Sequence, residues 1–92
     1  MNANTQIQTR VLSLRVPHPG PEPELPIAGE LTAWYVTPGD RLKPGSLLYQ
    51  VSWPGFVIEY RSDVPGIVTR TYAGLRDTLA PEQLVCDIDL TL

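Results

Sequence analysis

The side chains that most often perform chemistry in proteins are nearly absent from this sequence. Its 92 residues include one cysteine (Cys86), one histidine (His18) and one lysine (Lys43). A single cysteine excludes an internal disulfide, and Cys/His metal clusters or a Ser-His-Asp triad would lack members. The remaining residues form no obvious nucleophile–base pair and no phosphate-binding glycine loop. We therefore expect no catalytic residues, no metal site and no enzyme activity of the chain's own.

The few candidate residues have structural interpretations. Asp40 and Asp77 lie in turn sequences, where an aspartate usually caps backbone N–H groups, and nothing indicates the contrasting environments that an acid–base pair needs. Cys86 alternates in phase with its apolar neighbours, which predicts a buried thiol. His18 lies between two prolines, which predicts an exposed loop.

Composition excludes several classes of partner. The net charge is −3, from seven basic and ten acidic residues, and no basic stripe for nucleic acid is visible. No apolar run approaches the roughly 18 residues that a membrane span requires. Residues 1–10 are polar and lack the apolar core of a secretory signal. We therefore expect a cytoplasmic protein without nucleic-acid or membrane partners.

Ten prolines and seven glycines provide the clearest local signal. Five Pro-Gly pairs begin at Pro19, Pro38, Pro44, Pro54 and Pro65. Such a pair suits a type II turn, because proline fixes φ at the first central position and glycine accepts a positive φ at the second. Short strands joined by tight turns are predicted. The proline-rich stretch 17–26, with Glu22 and Glu24, is expected to form an extended, solvated loop.

Apolar alternation between these turns predicts an all-β chain. The predicted strands cover residues 11–16, 28–36, 46–53, 56–60, 66–72 and 84–92. In the strand 46–53, Leu47, Tyr49, Val51 and Trp53 are predicted to share one face. In the last strand, Leu84, Cys86, Ile88, Leu90 and Leu92 are predicted on one face, with Val85 and Asp87 on the other.

An internal repeat is the most informative feature. A shift of 37 residues aligns 29–51 with 66–88 and matches seven identical residues in 23 positions. The matched residues are Gly29, Thr32, Tyr35, Asp40, Leu42, Pro44 and Leu47 and their counterparts. Two copies are too few for a solenoid, which favours two similar halves that close on each other about a pseudo-two-fold axis. The segment 52–65 between the halves is predicted to contain a hairpin with Pro54-Gly55 at its tip.

Residues that match a known family occur in order along both halves. The first half contains Gly29-Glu30-Leu31, Trp34, Pro38-Gly39-Asp40 and Leu47-Leu48-Tyr49-Gln50-Val51, and the second contains Glu59, Ser62, Val64, Gly66, Val68, Asp77, Leu79 and Leu84. This series resembles a lipoyl or biotinyl carrier domain over residues 11–90. The resemblance implies a barrel-sandwich hybrid, which is a flattened barrel of two small sheets. We expect a single domain, 11–92, after a flexible segment, 1–10.

The attachment residue of that family is missing. Its members carry lipoic acid or biotin on a lysine at the tip of the central hairpin, and alignment of the flanking strands puts Gly55 at that position. The only lysine, Lys43, belongs to a turn of the first half. The resemblance therefore implies a carrier-shaped domain without a cofactor. A smaller departure is Arg76, which replaces the glycine usually found before Asp77 and predicts a rebuilt turn.

The predicted tip contains two aromatic residues with alternative roles. If Trp53 and Phe56 are exposed, they form a candidate partner-binding site together with Pro54 and Gly55. Alternatively, the two rings pair across the hairpin and cap the core.

Three functional classes remain. The first is a freestanding interaction or scaffold module that docks on a carrier-recognising enzyme of a 2-oxoacid dehydrogenase-like, carboxylase-like or acyl-transfer system. The second is a carrier with non-standard covalent attachment at Lys43, Ser52 or Cys86. The third is an efflux-adaptor-like fragment, although residues 52–65 leave no room for the helical hairpin that such adaptors insert there. A homo-oligomer could form if the last strand pairs with a second copy.

Overall fold

The computed structural model describes residues 10–21 and 26–91, and eight strands but no helix occur among them. The strands are β1 (Val11–Arg15), β2 (Gly29–Trp34), β3 (Arg41–Leu42), β4 (Leu47–Trp53), β5 (Phe56–Arg61), β6 (Gly66–Thr71), β7 (Thr78–Leu79) and β8 (Leu84–Asp89). They form two antiparallel sheets, β1-β8-β6-β3 and β5-β4-β2-β7. The predicted all-β class is confirmed. The sequence did not predict β3 and β7, because two residues are too few to show alternation.

Several predicted features lie outside the described residues, namely 1–9 of the N-terminal segment, Glu22, Glu24 and Leu92. Arg10, which was assigned to that segment, is described. Its N–H donates to Oγ1 of Thr91 at 3.1 Å, and its carbonyl accepts from the N–H of Leu90 at 2.7 Å. Arg10 is therefore tied to the end of the sheet that contains β1 and β8.

The register of the ladders confirms the repeat. In the β2–β4 ladder, Glu30 faces Ser52. In the β6–β8 ladder, Ile67 faces Asp89, and each of these residues lies 37 positions after its counterpart in the first pair. The remaining pairs of the two ladders correspond in the same way, and both contain a register shift at equivalent positions, around Thr32 in the first. The two halves therefore share one backbone geometry.

The halves close on each other by exchanging their short strands. β3 of the first half pairs with β6, and β7 of the second half pairs with β2. The N–H of Leu31 donates to the carbonyl of Asp77 at 3.0 Å, and the N–H of Val68 donates to that of Asp40 at 2.9 Å. Since each sheet contains strands from both halves, two repeats complete the fold.

Two bulges overturn the predicted faces of the central strands. Leu48 on β4 and Val85 on β8 are buried beside Tyr49 and Cys86, although simple alternation places them on the outer face. Against the neighbouring edge strands, the register skips Leu48 and Val85, which have no cross-strand partner there. A bulge of this kind inserts an extra residue and redirects its side chain, so consecutive residues reach the core.

This arrangement also corrects the predicted route to an oligomer. β8 lies between β1 and β6, and both of its backbone edges are paired. A second copy cannot add to it without displacing one of these strands.

Three of the five Pro-Gly pairs form the predicted turns. Gly39, Gly45 and Gly55 have φ values of 100°, 93° and 88°. The prediction was wrong for Gly20 and Gly66, since neither is among the described glycines with positive φ. Gly66 begins β6 and is required for a different reason, because a Cβ atom there would lie 2.7 Å from the carbonyl oxygen of Asp89.

Asp40 and Asp77 have the predicted capping role. The Oδ2 atom of Asp40 accepts the N–H of Thr37 at 2.9 Å, and that of Asp77 accepts the N–H of Gly74 at 2.8 Å. Each carboxylate thus closes the turn before its own short strand.

The expectation that Arg76 rebuilds its turn was wrong. Arg76 has a φ of 74°, in the same left-handed region as its counterpart Gly39. Its N–H donates to the carbonyl of Leu31 at 2.7 Å, just as the N–H of Gly39 donates to that of Val68 at 2.7 Å. These hydrogen bonds hold the conformation even where the residue has a side chain.

The core lies between the sheets and receives side chains from both. Fully buried examples are Val16, Leu31, Val51, Val68, Leu79, Val85, Cys86 and Ile88. Burial raises the pKa of the Cys86 thiol to about 11, so the thiol stays protonated near neutral pH. The predicted buried thiol is confirmed.

Candidate functional site

The β4–β5 hairpin ends in the tight turn that the sequence predicts. Trp53 and Phe56 form its last cross-strand pair, and Pro54 and Gly55 are the two loop residues. Proline cannot adopt a positive φ, which excludes the type I′ and II′ turns usual in two-residue hairpins. With Gly55 at a φ of 88°, the loop matches a type II turn.

Gly55 projects into open space. Pro54 and Gly55 are both exposed, and a Cβ atom built on Gly55 would have no neighbour within 4 Å. The bend at the hairpin tip is therefore accessible, as predicted. Its positive φ would strain any other L-residue placed there.

Trp53 does not belong to the accessible part of the tip. The side chain is 2% exposed, and its Nε1–H donates to the hydroxyl of Tyr60 at 3.1 Å. The ring lies over Gly29, where a Cβ atom would be 2.9 Å from Cε3 of Trp53. The core-capping alternative is therefore correct for Trp53, and exposure is ruled out. Because Gly29 has no side chain, the indole fits into the end of the barrel.

The exposed apolar side chains of the hairpin belong to Phe56 and Val57, which are 44% and 55% exposed. They occupy consecutive positions on the edge strand β5 and point to opposite faces of the sheet. We call Pro54, Gly55, Phe56 and Val57 the tip surface. The predicted site did not include Val57, although its alternation in phase with Glu59 was a usable signal of solvent exposure.

The residues considered for non-standard attachment lie in different environments. Lys43 is exposed in the turn between β3 and β4, where its N–H donates to Oγ of Ser46 at 3.0 Å. Ser52 is half-buried on β4 between Glu30 and Val57. Cys86 is fully buried. The three residues are not brought together, and none belongs to the tip surface.

A tyrosine–carboxylate hydrogen bond lies on the outer face of each sheet. The hydroxyl of Tyr35 donates to Oε2 of Glu59 at 2.9 Å, which raises the pKa of Tyr35. The hydroxyl of Tyr72 donates to Oδ2 of Asp87 at 2.6 Å, and Oγ of Ser13 donates to Oδ1 at 2.7 Å. These bonds lower the pKa of Asp87. Neither pair was predicted from the sequence.

The ligand types needed for a metal site do not gather in the described residues. No group of three or more His, Cys, Asp or Glu side chains there could hold a metal ion. Within residues 10–21 and 26–91, no helix has the length and apolarity needed to cross a bilayer.

Comparison with known proteins gives a likeness to a solved structure. No family model matches the chain, and neither does any curated protein. The structure is similar to the solution structure of the lipoyl domain of the 2-oxoglutarate dehydrogenase complex from Azotobacter vinelandii, with a TM-score of 0.63 and 20% sequence identity. The match covers 80% of this chain and 92% of that one. At this identity the likeness establishes the fold, and the chain has the barrel-sandwich fold of a lipoyl domain.

Proposed function

We propose that this chain is a non-enzymatic interaction module, with the shape of a lipoyl or biotinyl carrier domain and without its prosthetic group. The observation that supports this proposal most directly is Gly55 at the projecting tip of the central hairpin. Covalent attachment of lipoate or biotin needs a primary amine, and glycine offers no side chain. The chain's only lysine, Lys43, lies in another turn.

The tip surface supports binding of a protein partner. Phe56 and Val57 are exposed apolar side chains beside a turn fixed by Pro54 and Gly55. Beneath them, Trp53 anchors the hairpin to the core through its ring and its bond to Tyr60. A rigid apolar projection loses little conformational entropy on binding, which improves affinity for a given contact area.

The partner we propose is an enzyme that recognises carrier domains. Such enzymes occur in 2-oxoacid dehydrogenase-like, carboxylase-like and acyl-transfer systems, where the arm at the hairpin tip of a carrier domain moves an intermediate between active sites. A module with the same shape but no arm would position or regulate the enzyme without accepting its intermediate. We propose a cytoplasmic location for it, with no role for nucleic acid or membrane.

The mass of the intact protein from its natural host tests the absence of a prosthetic group. The expected result is the mass of the unmodified chain. An added lipoyl or biotinyl group would contradict the proposal and favour the second candidate, a carrier modified at the exposed Lys43. A Lys43→Arg variant would then lose the added mass.

Binding to the host's 2-oxoacid dehydrogenase and biotin-dependent carboxylase components tests the interaction role. We expect Val57→Ser to weaken binding at least fivefold in a titration. Val11→Ser is the matched control, because Val11 is the counterpart of Val57 in the other sheet and is similarly exposed, at 51% against 55%. Equal binding by both variants, or no binding by the unaltered protein, would refute the proposal.

A further inference from the structure

A cleft opens between the two sheets at their edge strands β1 and β5. Its volume is about 140 Å³, and Leu14 and Arg15 of β1 face Tyr60 and Arg61 of β5 across it. In the repeat, Leu14 corresponds to Tyr60 and Arg15 to Arg61, because their partners on β8 and β4 are equivalent. The cleft therefore straddles the pseudo-two-fold axis, and each half supplies one wall.

The lining of the cleft below its rim is apolar and aromatic. Leu48 and Tyr49, both buried, line it together with Leu14 and Tyr60. The rings of Tyr49 and Tyr60 are stacked, with centroids 4.7 Å apart and planes inclined by 21°. An apolar cavity of roughly 150 Å³ holds a ring the size of benzene, so this cleft fits an apolar group of about six non-hydrogen atoms.

Two equivalent arginines line the cleft, and each forms one hydrogen bond to a backbone carbonyl. Nη1 of Arg15 donates to the carbonyl of Glu82 at 2.9 Å, and Nη1 of Arg61 donates to the carbonyl of Gly45 at 2.8 Å. These equivalent bonds tie each guanidinium group to the turn that precedes β8 or β4 of its own sheet. Each guanidinium has five N–H donors, and no ion pair to either one is found among the described residues.

The charged side chains that line the cleft indicate which ligand charge it favours. Asp63 also lines the cleft, so these ionised side chains together have a net charge of about +1 at neutral pH. This favours a monoanion over a dianion. Guanidinium groups match the planar geometry of a carboxylate and bind it through paired N–H donors. We infer that the cleft binds a small monocarboxylate whose apolar part enters between Leu14 and Tyr60 while its carboxylate meets Arg15 and Arg61.

This inference does not depend on the proposed function, because no residue of the tip surface lines the cleft. Benzoate is a suitable probe, since it combines a six-membered ring with one carboxylate. Benzamide is the matched neutral control, with nearly the same shape and no charge. A titration of the whole protein followed by amide ¹H–¹⁵N NMR reports both affinity and location.

We expect benzoate to cause saturable shifts at the amides of Leu14, Leu48 and Arg61, and benzamide to bind at least tenfold more weakly. Arg15→Gln and Arg61→Gln should each weaken benzoate binding at least fivefold. Arg41→Gln, which alters an exposed arginine outside the cleft, should leave it unchanged. Non-saturable shifts, shifts elsewhere, equal binding of benzamide, or retained affinity in both cleft variants would overturn the inference.

Discussion

Residues 29–51 and 66–88 adopt one backbone geometry, although two left-handed positions that hold glycine in the first half hold other residues in the second. In the first half, Gly39 and Gly45 have positive φ values of 100° and 93°. Their counterparts, Arg76 and Glu82, adopt the same region at 74° and 70°. The N–H of Gly45 bonds to the carbonyl of Ser62 at 2.7 Å, and that of Glu82 to the carbonyl of Val16 at 2.6 Å. The hydrogen bonds around the turns therefore determine their conformation, and glycine only lowers the conformational free energy of the left-handed backbone.

The two halves also differ in the atoms that surround the glycine at the start of β2 or β6. Gly29 begins β2 under the side chains of Val51 and Trp53, whereas Gly66 begins β6 against Ile88 and the backbone oxygen of Asp89. A packed side chain can move slightly to relieve a clash, whereas the Asp89 carbonyl belongs to a residue paired with both β1 and β6 and moves only if those pairings move with it. The second half is therefore the less adaptable of the two at this position.

The largest expected effect comes from adding a methyl group at these two glycines. Gly66→Ala should lower the free energy of unfolding by about 3 kcal/mol, because its Cβ would lie 2.7 Å from the carbonyl oxygen of Asp89. Gly29→Ala should cost about 1–2 kcal/mol, since its nearest atoms belong to side chains. Urea unfolding followed by tryptophan fluorescence measures both.

Gly74→Ala is the control for this pair. A Cβ atom there would meet only Oδ2 of Asp77, at 3.7 Å, so a change below about 0.5 kcal/mol is expected. If Gly29→Ala proved as costly as Gly66→Ala, the distinction between side-chain and backbone obstruction would be wrong.

An effect of intermediate size is expected at the left-handed positions. Arg76→Gly should raise the free energy of unfolding by about 0.5–1 kcal/mol, because it removes the steric cost of a side chain at a φ of 74°. Gly39→Ala should lower it by about 1 kcal/mol, since it introduces that cost at a φ of 100°. Thermal unfolding of the two variants measures the contrast. Loss of stability in Arg76→Gly would show that contacts of the arginine side chain outweigh its backbone strain.

The smallest effect concerns the outer faces and depends on pH. Asp87 accepts bonds from Tyr72 and Ser13, and these hold its pKa below the ordinary value. Its counterpart in the first half, Gln50, does not titrate. A lowered carboxyl pKa in the folded state contributes stability that is present above about pH 4 and is lost as the pH falls through the folded-state value.

Asp87→Asn should therefore be less stable than the unaltered protein at pH 7, and the difference should shrink towards pH 2–3. Melting temperatures across this range measure the convergence. Gln50→Glu provides the opposite control, because it places a carboxylate near Glu59 and should destabilise as the pH rises past about 4.5. If the difference in melting temperature between Asp87→Asn and the unaltered protein stayed constant across this pH range, the ionised Asp87 carboxylate would make no net contribution to stability.

Much of the fold followed from local sequence signals. Alternation predicted six of the eight strands, and the Pro-Gly pairs at Pro38, Pro44 and Pro54 marked three turns. These succeeded because strand alternation and turn conformations depend on residues close together in the chain. The inward positions of Leu48 and Val85 did not follow, because a bulge depends on the register with a neighbouring strand.

In the candidate site, too, some features followed from local sequence and others only from tertiary packing. The sequence placed Pro54 and Gly55 in an exposed turn and left two roles open for Trp53. Only packing decided between them, since the space that the indole fills is created by Gly29, 24 positions earlier in the chain. The cleft at Arg15 and Arg61 was equally invisible, because its two walls come from different sheets.

By itself, the sequence determined that this is a small all-β chain of two similar halves, whose only lysine lies outside the central hairpin. Composition, period-two alternation and the repeat suffice for that, because each is a property of residues read in order. Only the tertiary structure decided which apolar side chains reach solvent, where bulges turn residues inward and what the edges of the sheets enclose. Those outcomes depend on strands that meet across a long stretch of chain, where pairing and close packing override local preference.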